Sequence, residues 1–221
     1  MRRRLYKIND DNENEILPQT SFDMGTNDGI EWSIYMLGTT QVYDVGKYYQ
    51  WGDTTGYTLQ EINKINKKFK WEDYKWCNGS STTLTKYCTK SDYGIVDNKY
   101  ILDLSDDAAH VLLGGKWRMP TQAEFERLKS VCSISYVTSY KGHNIKGKLW
   151  KSRITNNELF FPLAGFIAEE GILNKDETRI WTSKLDINFC YYGMGLSYNI
   201  SADNINGGNR NVGRNIRPVL E

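Results

Sequence analysis

From residue 133 onward the chain is a succession of short segments separated by turns that contain Gly, Asn or Asp. Segments of this length that are rich in β-branched and aromatic residues predict strands bounded by turns. The predicted strands cover residues 133–140, 145–149, 159–167, 179–183, 189–200 and 214–220. No segment recurs at a fixed period, which argues against a solenoid or a propeller. We therefore expect irregular antiparallel sheets in this half of the chain.

Two short helices are predicted before these strands. One covers residues 105–113, where Ser105 is the candidate cap. The other begins after Thr121, because Glu124 follows three residues later and completes a capping box. Further upstream, residues 30–49 have a strand-like pattern and residues 58–69 contain at best a short amphipathic helix. The expected class is α+β.

The chain has 221 residues, which is enough for one domain with a substantial core. Residues 1–20 are polar and charged and predict a flexible arm or attachment segment. The remaining residues 21–221 are then a single domain. Within it, residues 71–100 show little periodicity and predict a long surface insertion. The aromatic side chains expected to hold this insertion are Trp71, Tyr74, Trp76 and Tyr87.

Charge and hydropathy exclude several classes of partner. With 28 Lys and Arg against 27 Asp and Glu, the net charge of +1 argues against nucleic acid as a partner. The longest apolar stretch, residues 159–168, is too short for a membrane span. No apolar stretch follows the basic start, so no secretory signal is predicted. We expect a protein that is cytoplasmic as synthesised, with a virion or a cell surface as candidate places of function.

No group of residues predicts catalysis, a metal site or a cofactor. The four cysteines are scattered without a CxxC pair: Cys77, Cys88, Cys132 and Cys190. They are either buried free thiols or include a Cys77–Cys88 disulfide. His110 and His143 are isolated and are interpreted as structural. We therefore expect no catalytic residue, no metal and no cofactor.

Residues 115–125, GKWRMPTQAEF, resemble the signature of formylglycine-generating-enzyme-like domains, which belong to the wider C-type-lectin fold. Other marks resemble that family in the same order along the chain: Trp51-Gly52-Asp53, residues 106–109, residues 161–165, Trp181-Thr182-Ser183 and residues 217–220. The resemblance covers about residues 30–220. It implies a C-type-lectin-like fold of the formylglycine-generating-enzyme subtype, with two short helices and irregular antiparallel sheets.

The enzymes of this family depend on a reactive cysteine pair near the carboxyl-terminal end. The matching run here, residues 209–217, contains no cysteine, and Cys190 stands alone in the sequence. The resemblance therefore implies a non-enzymatic use of the fold. An oxidase of the same family stays open as an alternative if Cys190 meets another cysteine in a cleft. The calcium-binding elements of the lectin members are absent as well, so no calcium-dependent sugar site is expected.

Residues 186–215 are crowded with Asn, Tyr, Ser and Gly. This composition is typical of adaptable recognition surfaces, although Asn and Gly are also ordinary turn formers. Residues 181–220 resemble the variable region of proteins that retroelements diversify by adenine-directed mutagenesis in bacteria and their phages. The expected contact residues are Asp186, Asn188, Tyr191, Tyr198, Asn199, Asn204, Asn206, Asn209, Asn211 and Arg214. Strand alternation predicts that some of them are buried.

These observations predict a non-enzymatic ligand-binding display protein. Its expected target is a protein or glycan on a cell surface, bound through the carboxyl-terminal face. Residues 1–20 would attach it to a virion or a surface structure. Besides the oxidase, the alternative is a structural surface or pilus protein, which requires most side chains of residues 186–215 to be buried.

Overall fold

The computed structural model describes residues 20–221, so the expected arm lies, except for Thr20, outside the described residues. The described part has a mixed α+β fold with few helices and several antiparallel sheets. Its helices are α1 (Leu59–Ile65), α2 (Ala108–Leu113) and α3 (Gln122–Val131). Both expected helices are present, and a third, α1, forms within residues 58–69, where the sequence predicted at best a short helix. At the start of α1 the side chains of Thr58 and Glu61 form a capping box.

The two predicted helices both form, with one correction. In α3, Thr121 Oγ1 accepts a hydrogen bond from Glu124 N at 3.3 Å, and Glu124 Oε2 accepts one from Thr121 N at 2.7 Å. In α2 the cap is Asp107, whose carboxylate accepts from His110 N at 3.0 Å. The predicted cap, Ser105, lies in a preceding 3₁₀ turn because Asp107 offers the better-placed acceptor.

Within residues 20–221, twelve strands form four antiparallel sheets. The strands are β1 (Ser21–Asp23), β2 (Glu31–Ser33), β3 (Trp117–Arg118), β4 (Cys132–Val137), β5 (Gly147–Ser152), β6 (Glu158–Pro162), β7 (Phe166–Ala168), β8 (Gly171–Leu173), β9 (Glu177–Leu185), β10 (Tyr192–Asn199), β11 (Asp203–Asn209) and β12 (Val219–Leu220). The sheet orders are β1-β2-β12-β3, β11-β10-β9, β4-β5-β6 and β7-β8. Pairing of β12 with β2 and β3 brings the end of the chain beside its beginning and middle.

Several predicted strands are shorter than the apolar pattern suggested. Of residues 30–49, only Glu31–Ser33 belongs to a named strand, and of residues 214–220 only Val219–Leu220 does. The predicted strand 159–167 is split into β6 and β7 by the turn around Gly165. The pattern overestimates the length of the strands because a segment can be buried without pairing in a sheet. Residues 210–219 are buried, but of these only Val219 belongs to a named strand.

Tryptophans from distant parts of the chain hold the core together. Trp51 and Trp181 are fully buried in one hydrophobic cluster, while Trp32 and Trp150 are fully buried in a second. The indole of Trp51 donates to Thr182 O at 2.9 Å, and that of Trp181 donates to Tyr49 O at 2.8 Å. These two bonds tie the loop after residue 48 to β9, which carries one edge of the carboxyl-terminal sheet.

The 71–100 segment contains no α-helix or named strand, but aromatic side chains hold it to the domain. The Tyr74 hydroxyl donates to Trp51 O at 2.7 Å, and the Trp76 indole donates to Gly52 O at 2.9 Å. The Tyr87 hydroxyl donates to Asp106 at 2.6 Å. The segment is thereby placed beside the carboxyl-terminal sheet, where its later residues contact the loop after β9.

Candidate ligand-contact surface

The sheet β9-β10-β11 carries or adjoins the residues expected to contact a ligand. One end of this sheet is scaffold: Leu196 of β10 is buried, and its partner Ile205 of β11 packs against the same core. At the other end Tyr192 pairs with Asn209, and these residues are half-buried and exposed, respectively. The sheet thus has a pair that packs on the core, Leu196–Ile205, near the hairpin and a more accessible pair, Tyr192–Asn209, at the opposite end.

The hairpin between β10 and β11 is closed by Asn199. Its side-chain oxygen accepts hydrogen bonds from Ser201 N at 2.8 Å and Ala202 N at 2.9 Å. Asn199 is half-buried, so it lies at the surface, but its carbonyl group is occupied by the turn. This is the turn-forming role of asparagine. Only its amide NH₂ remains for an external partner.

The loop of residues 186–191 lies between β9 and β10 and is organised by Asp186. The Asp186 carboxylate accepts from Asn188 N at 2.8 Å and from Phe189 N at 3.2 Å. The backbone N–H of Asp186 donates to Tyr192 O at 3.0 Å, which closes the loop at its base. Asp186 is therefore a half-buried loop-forming residue whose second carboxylate oxygen faces β11 near Gly207.

Four aromatic rings form an aromatic cluster at the tip of this loop: Tyr93, Phe189, Tyr191 and Tyr192. The ring centroids of Tyr191 and Tyr192 are 4.5 Å apart, and those of Tyr93 and Tyr191 are 5.2 Å apart. Phe189 lies 5.9 Å from both Tyr191 and Tyr192 and is 45% exposed. The rings support one another edge to face while leaving apolar area open to solvent.

Four of the expected asparagines have exposed side chains: Asn188, Asn204, Asn206 and Asn209. Asn206 Oδ1 accepts from Ser197 Oγ at 2.8 Å across the β10–β11 ladder. The side-chain amides of the other three make no hydrogen bond to any described residue. They consequently present donors and acceptors whose present partner is solvent.

Three expected contact residues are buried, which corrects the prediction for Tyr198, Asn211 and Arg214. The Tyr198 hydroxyl donates to Pro162 O at 2.9 Å, and the Asn211 amide donates to Phe69 O at 2.9 Å. The Arg214 guanidinium stacks on Trp181 at 3.9 Å from the ring centroid. The chain turns into the core after β11. The Asn-rich and Gly-rich sequence that is exposed on β11 therefore continues into buried residues.

Sequence reasoning missed two kinds of contact residue. Phe189 and Tyr192 lie within residues 186–215 but were not among the expected contact residues. The presence of an apolar Phe in a polar loop is the sequence feature that could have indicated Phe189. Tyr93 comes from the 71–100 segment, and no local signal connects it with residue 191. Its position depends on Lys90, whose Nζ donates to Asn188 O at 3.0 Å and joins the two loops.

The four cysteines are free thiols, so the Cys77–Cys88 disulfide considered above is not formed. Cys190 is not alone in space, however, because it packs in one hydrophobic cluster with Cys88. Both residues are fully buried. The oxidase alternative required a cysteine pair in a cleft, and this pair lies instead in a small hydrophobic cluster with Leu84.

The accessible side chains among the expected residues are mostly uncharged. Asp186 is the one ionisable carboxyl or basic group among the expected residues that reach the surface. Among residues 20–221, no group of three or more His, Cys, Asp and Glu side chains could hold a metal ion. A cavity of about 290 Å³ is lined by other residues, among them Phe22, Tyr140 and Phe160.

In the described part of the chain, no helix has both the length and the apolar character needed to cross a membrane. Comparisons of the chain with protein families, with curated proteins and with solved structures find no match in any of the three.

Proposed function

We propose that this chain is a non-enzymatic ligand-binding display protein with a C-type-lectin-like fold of the formylglycine-generating-enzyme subtype. Its target is a protein or glycan on a cell surface. The contact surface consists of the aromatic cluster with Asp186, Asn188, Asn204, Asn206 and Asn209. The observation that carries the proposal is the partly exposed aromatic cluster together with the unpartnered amides of Asn188, in the same loop, and Asn209, opposite Tyr192.

The chemistry of this surface suits macromolecular recognition. Tyr and Phe supply large contact area with few rotatable bonds, so little conformational entropy is lost on binding. The Asn amides both donate and accept hydrogen bonds, which serves peptide groups and sugar hydroxyls alike. Within the contact surface Asp186 is the single charged side chain, so specificity would come from shape and hydrogen bonding.

We further propose that a diversity-generating retroelement varies residues 181–220. Asn codons begin with two adenines, so adenine-directed mutagenesis converts Asn into Tyr, Ser, Asp, Gly and similar residues. Such substitutions are tolerable where a side chain is exposed, as for Asn204 and Asn209, and damaging where it is buried, as for Asn211. The supporting observation is that most expected Asn positions in this segment face solvent.

Two alternatives are weaker on specific grounds. A family-type oxidase needs a thiol pair that lines a cleft open to its substrate, whereas Cys88 and Cys190 pack inside a hydrophobic cluster. A structural surface or pilus protein requires residues 186–215 to be mostly buried, whereas the loop tip and the asparagines of β11 are exposed.

The proposal is tested by sequencing this gene in many isolates and by searching nearby for a reverse-transcriptase gene. We expect a near-copy of the region encoding residues 181–220 that differs from it at adenines. Substitutions should concentrate at Asn188, Asn204, Asn206 and Asn209. Asn211 and Asn215 are the internal controls, because they are buried asparagines in the same segment.

An invariant 186–215 segment with no near-copy would refute diversification. Equal variation at Asn209 and Asn211 would refute the assignment of the contact surface, because a buried and an exposed position would then tolerate the same changes.

A further inference from the structure

Cys88 and Cys190 bring together two segments that are distant in sequence. Cys88 belongs to the 71–100 segment, and Cys190 belongs to the loop that carries the aromatic cluster. Both are fully buried and pack in one hydrophobic cluster with Leu84, and the backbone N–H of Thr89, the residue after Cys88, donates to Cys190 Sγ at 3.2 Å. Cys77 is half-buried at the edge of the same cluster, and Cys132 lies in a different one.

Polar groups around the pair favour a thiolate on Cys190. Thr89 N donates to Cys190 Sγ at 3.2 Å, and Thr89 Oγ1 lies 3.2 Å from the same sulfur. Burial disfavours the Cys190 thiolate, but hydrogen bonds from Thr89 and Cys88 outweigh burial and lower the pKa of Cys190. For Cys132, by contrast, burial raises the pKa to about 11. The thiol of Cys190 is therefore more reactive than that of Cys132, because a lower pKa gives a larger thiolate fraction.

We propose that Cys88 and Cys190 are a redox-active pair that closes to an intramolecular disulfide at the expense of a low-molecular-weight disulfide such as glutathione disulfide. The bond would covalently join the 71–100 segment to the loop of residues 186–191. The inference rests on the contact between the two thiols and is independent of the proposed function.

The exchange balances in two steps. The Cys190 thiolate attacks one sulfur of glutathione disulfide, forming a mixed disulfide and releasing one glutathione thiolate. Cys88 gives up its proton and attacks the Cys190 sulfur, which forms the Cys88–Cys190 bond and releases the second glutathione thiolate. The protein loses two hydrogens and two electrons, and one glutathione disulfide becomes two glutathione molecules.

The oxidant reaches the pair by a small local opening. Thr89, which contacts the Cys190 sulfur, is half-buried, and residues 187–189, which directly precede Cys190, are exposed. Two contacts join these two segments: Thr89 Oγ1 donates to Ile187 O at 3.3 Å, and Lys90 Nζ donates to Asn188 O at 3.0 Å. Both involve exposed or half-exposed groups, so their rupture does not require unfolding of the core.

The test incubates the reduced full-length protein in glutathione buffers of increasing oxidised fraction. Samples are quenched with acid, unfolded and alkylated with iodoacetamide, and the alkyl groups are counted by intact mass. We expect four alkyl groups on the reduced protein, since all four cysteines are free, and two on the oxidised protein. Peptide mapping should find Cys88 linked to Cys190, and dithiothreitol should restore all four groups.

Matched variants separate this pair from the other thiols. Cys132→Ser should still lose two alkylatable thiols on oxidation, whereas Cys88→Ser and Cys190→Ser should lose the linked peptide. Four alkyl groups at every glutathione ratio, or a linked Cys77–Cys88 peptide, would overturn the proposal. Should the variants fail to fold, the peptide map of the unchanged protein decides alone.

Discussion

Arg214 and Arg217, two buried arginines near the carboxyl-terminal end, differ in their contacts. Arg217 is fully buried and donates to Ser33 O at 3.1 Å and to Phe160 O, so it connects β2 with β6. Arg214 is also fully buried, but its Nε and Nη1 have no hydrogen-bond partner. Its main contact is the face of Trp181, and burial lowers its pKa to about 9. Arg217 Nε also has no partner, and burial lowers the pKa of Arg217 to about 10, but its hydrogen bonds to two carbonyls offset part of the desolvation cost that Arg214 bears without them.

Replacing each arginine with methionine should therefore give opposite results. Arg217→Met removes the charged donor to Ser33 O and Phe160 O and should lower the free energy of unfolding by about 2–4 kcal/mol. Arg214→Met removes an unpaired buried charge while keeping much of the packing, and should change stability by less than about 1 kcal/mol. Urea unfolding of both variants measures the difference. Equal losses would show that Arg214 is held by more than its contact with Trp181.

At the scale of elements, α3 is joined to β3 by one ion pair. Arg118 Nη1 and Nη2 donate to the two oxygens of the Glu124 carboxylate at 3.0 and 2.6 Å. The same carboxylate accepts from Thr121 N in the capping box. Burial opposes ionisation of Glu124, but the hydrogen bonds from Arg118 and Thr121 outweigh burial, and the pKa of Glu124 lies below its ordinary value of 4.5. Glu124 therefore caps a helix and holds a strand.

This pair predicts a defined dependence of stability on pH. Because the pKa of Glu124 is lower in the folded state, its contribution is complete above about pH 4.5 and is lost as the pH falls through the folded pKa. Glu124→Gln should cost about 1–3 kcal/mol at pH 7, and the difference from wild type should shrink on acidification below pH 4.5. Glu126→Gln, exposed on the same helix, is the control. A pH-independent difference would contradict the prediction.

At the scale of the whole molecule, the carboxyl-terminal segment is divided between surface and core. Asn209 is exposed at the end of β11, while Asn211, two residues later, is buried and donates to Phe69 O. Both are asparagines in the same composition, and local sequence does not distinguish them. The inward turn of the chain after β11 makes one a surface position and the other part of the scaffold.

Substitution of these two asparagines by tyrosine measures that division directly. Asn209→Tyr should change the free energy of unfolding by no more than about 0.5 kcal/mol, as is usual for exposed positions. Asn211→Tyr should cost more than about 2 kcal/mol, because it overfills the core and removes the hydrogen bond to Phe69 O. Thermal or urea unfolding compares the two. Similar losses would mean that the surface of β11 is not free to vary.

Local patterns in the sequence were enough to predict α3, the α+β class and several strands of the second half. A capping box satisfies its hydrogen bonds within four residues, so its signal is complete in the local sequence. Strand β11 was missed because Asn and Gly have low strand propensity. It forms nonetheless because every residue from Asp203 to Asn209 has a partner on β10.

The sequence by itself determined what depends on near neighbours: the caps of the helices, the turns and the apolar segments available for burial. Only the tertiary structure decided which distant residues meet, as Tyr93 meets Tyr191 and Cys88 meets Cys190. It also decided that Asn209 faces solvent and Asn211 does not. The physical reason is that contact and burial depend on the path of the whole chain, whereas residue composition is the same on both sides of the surface.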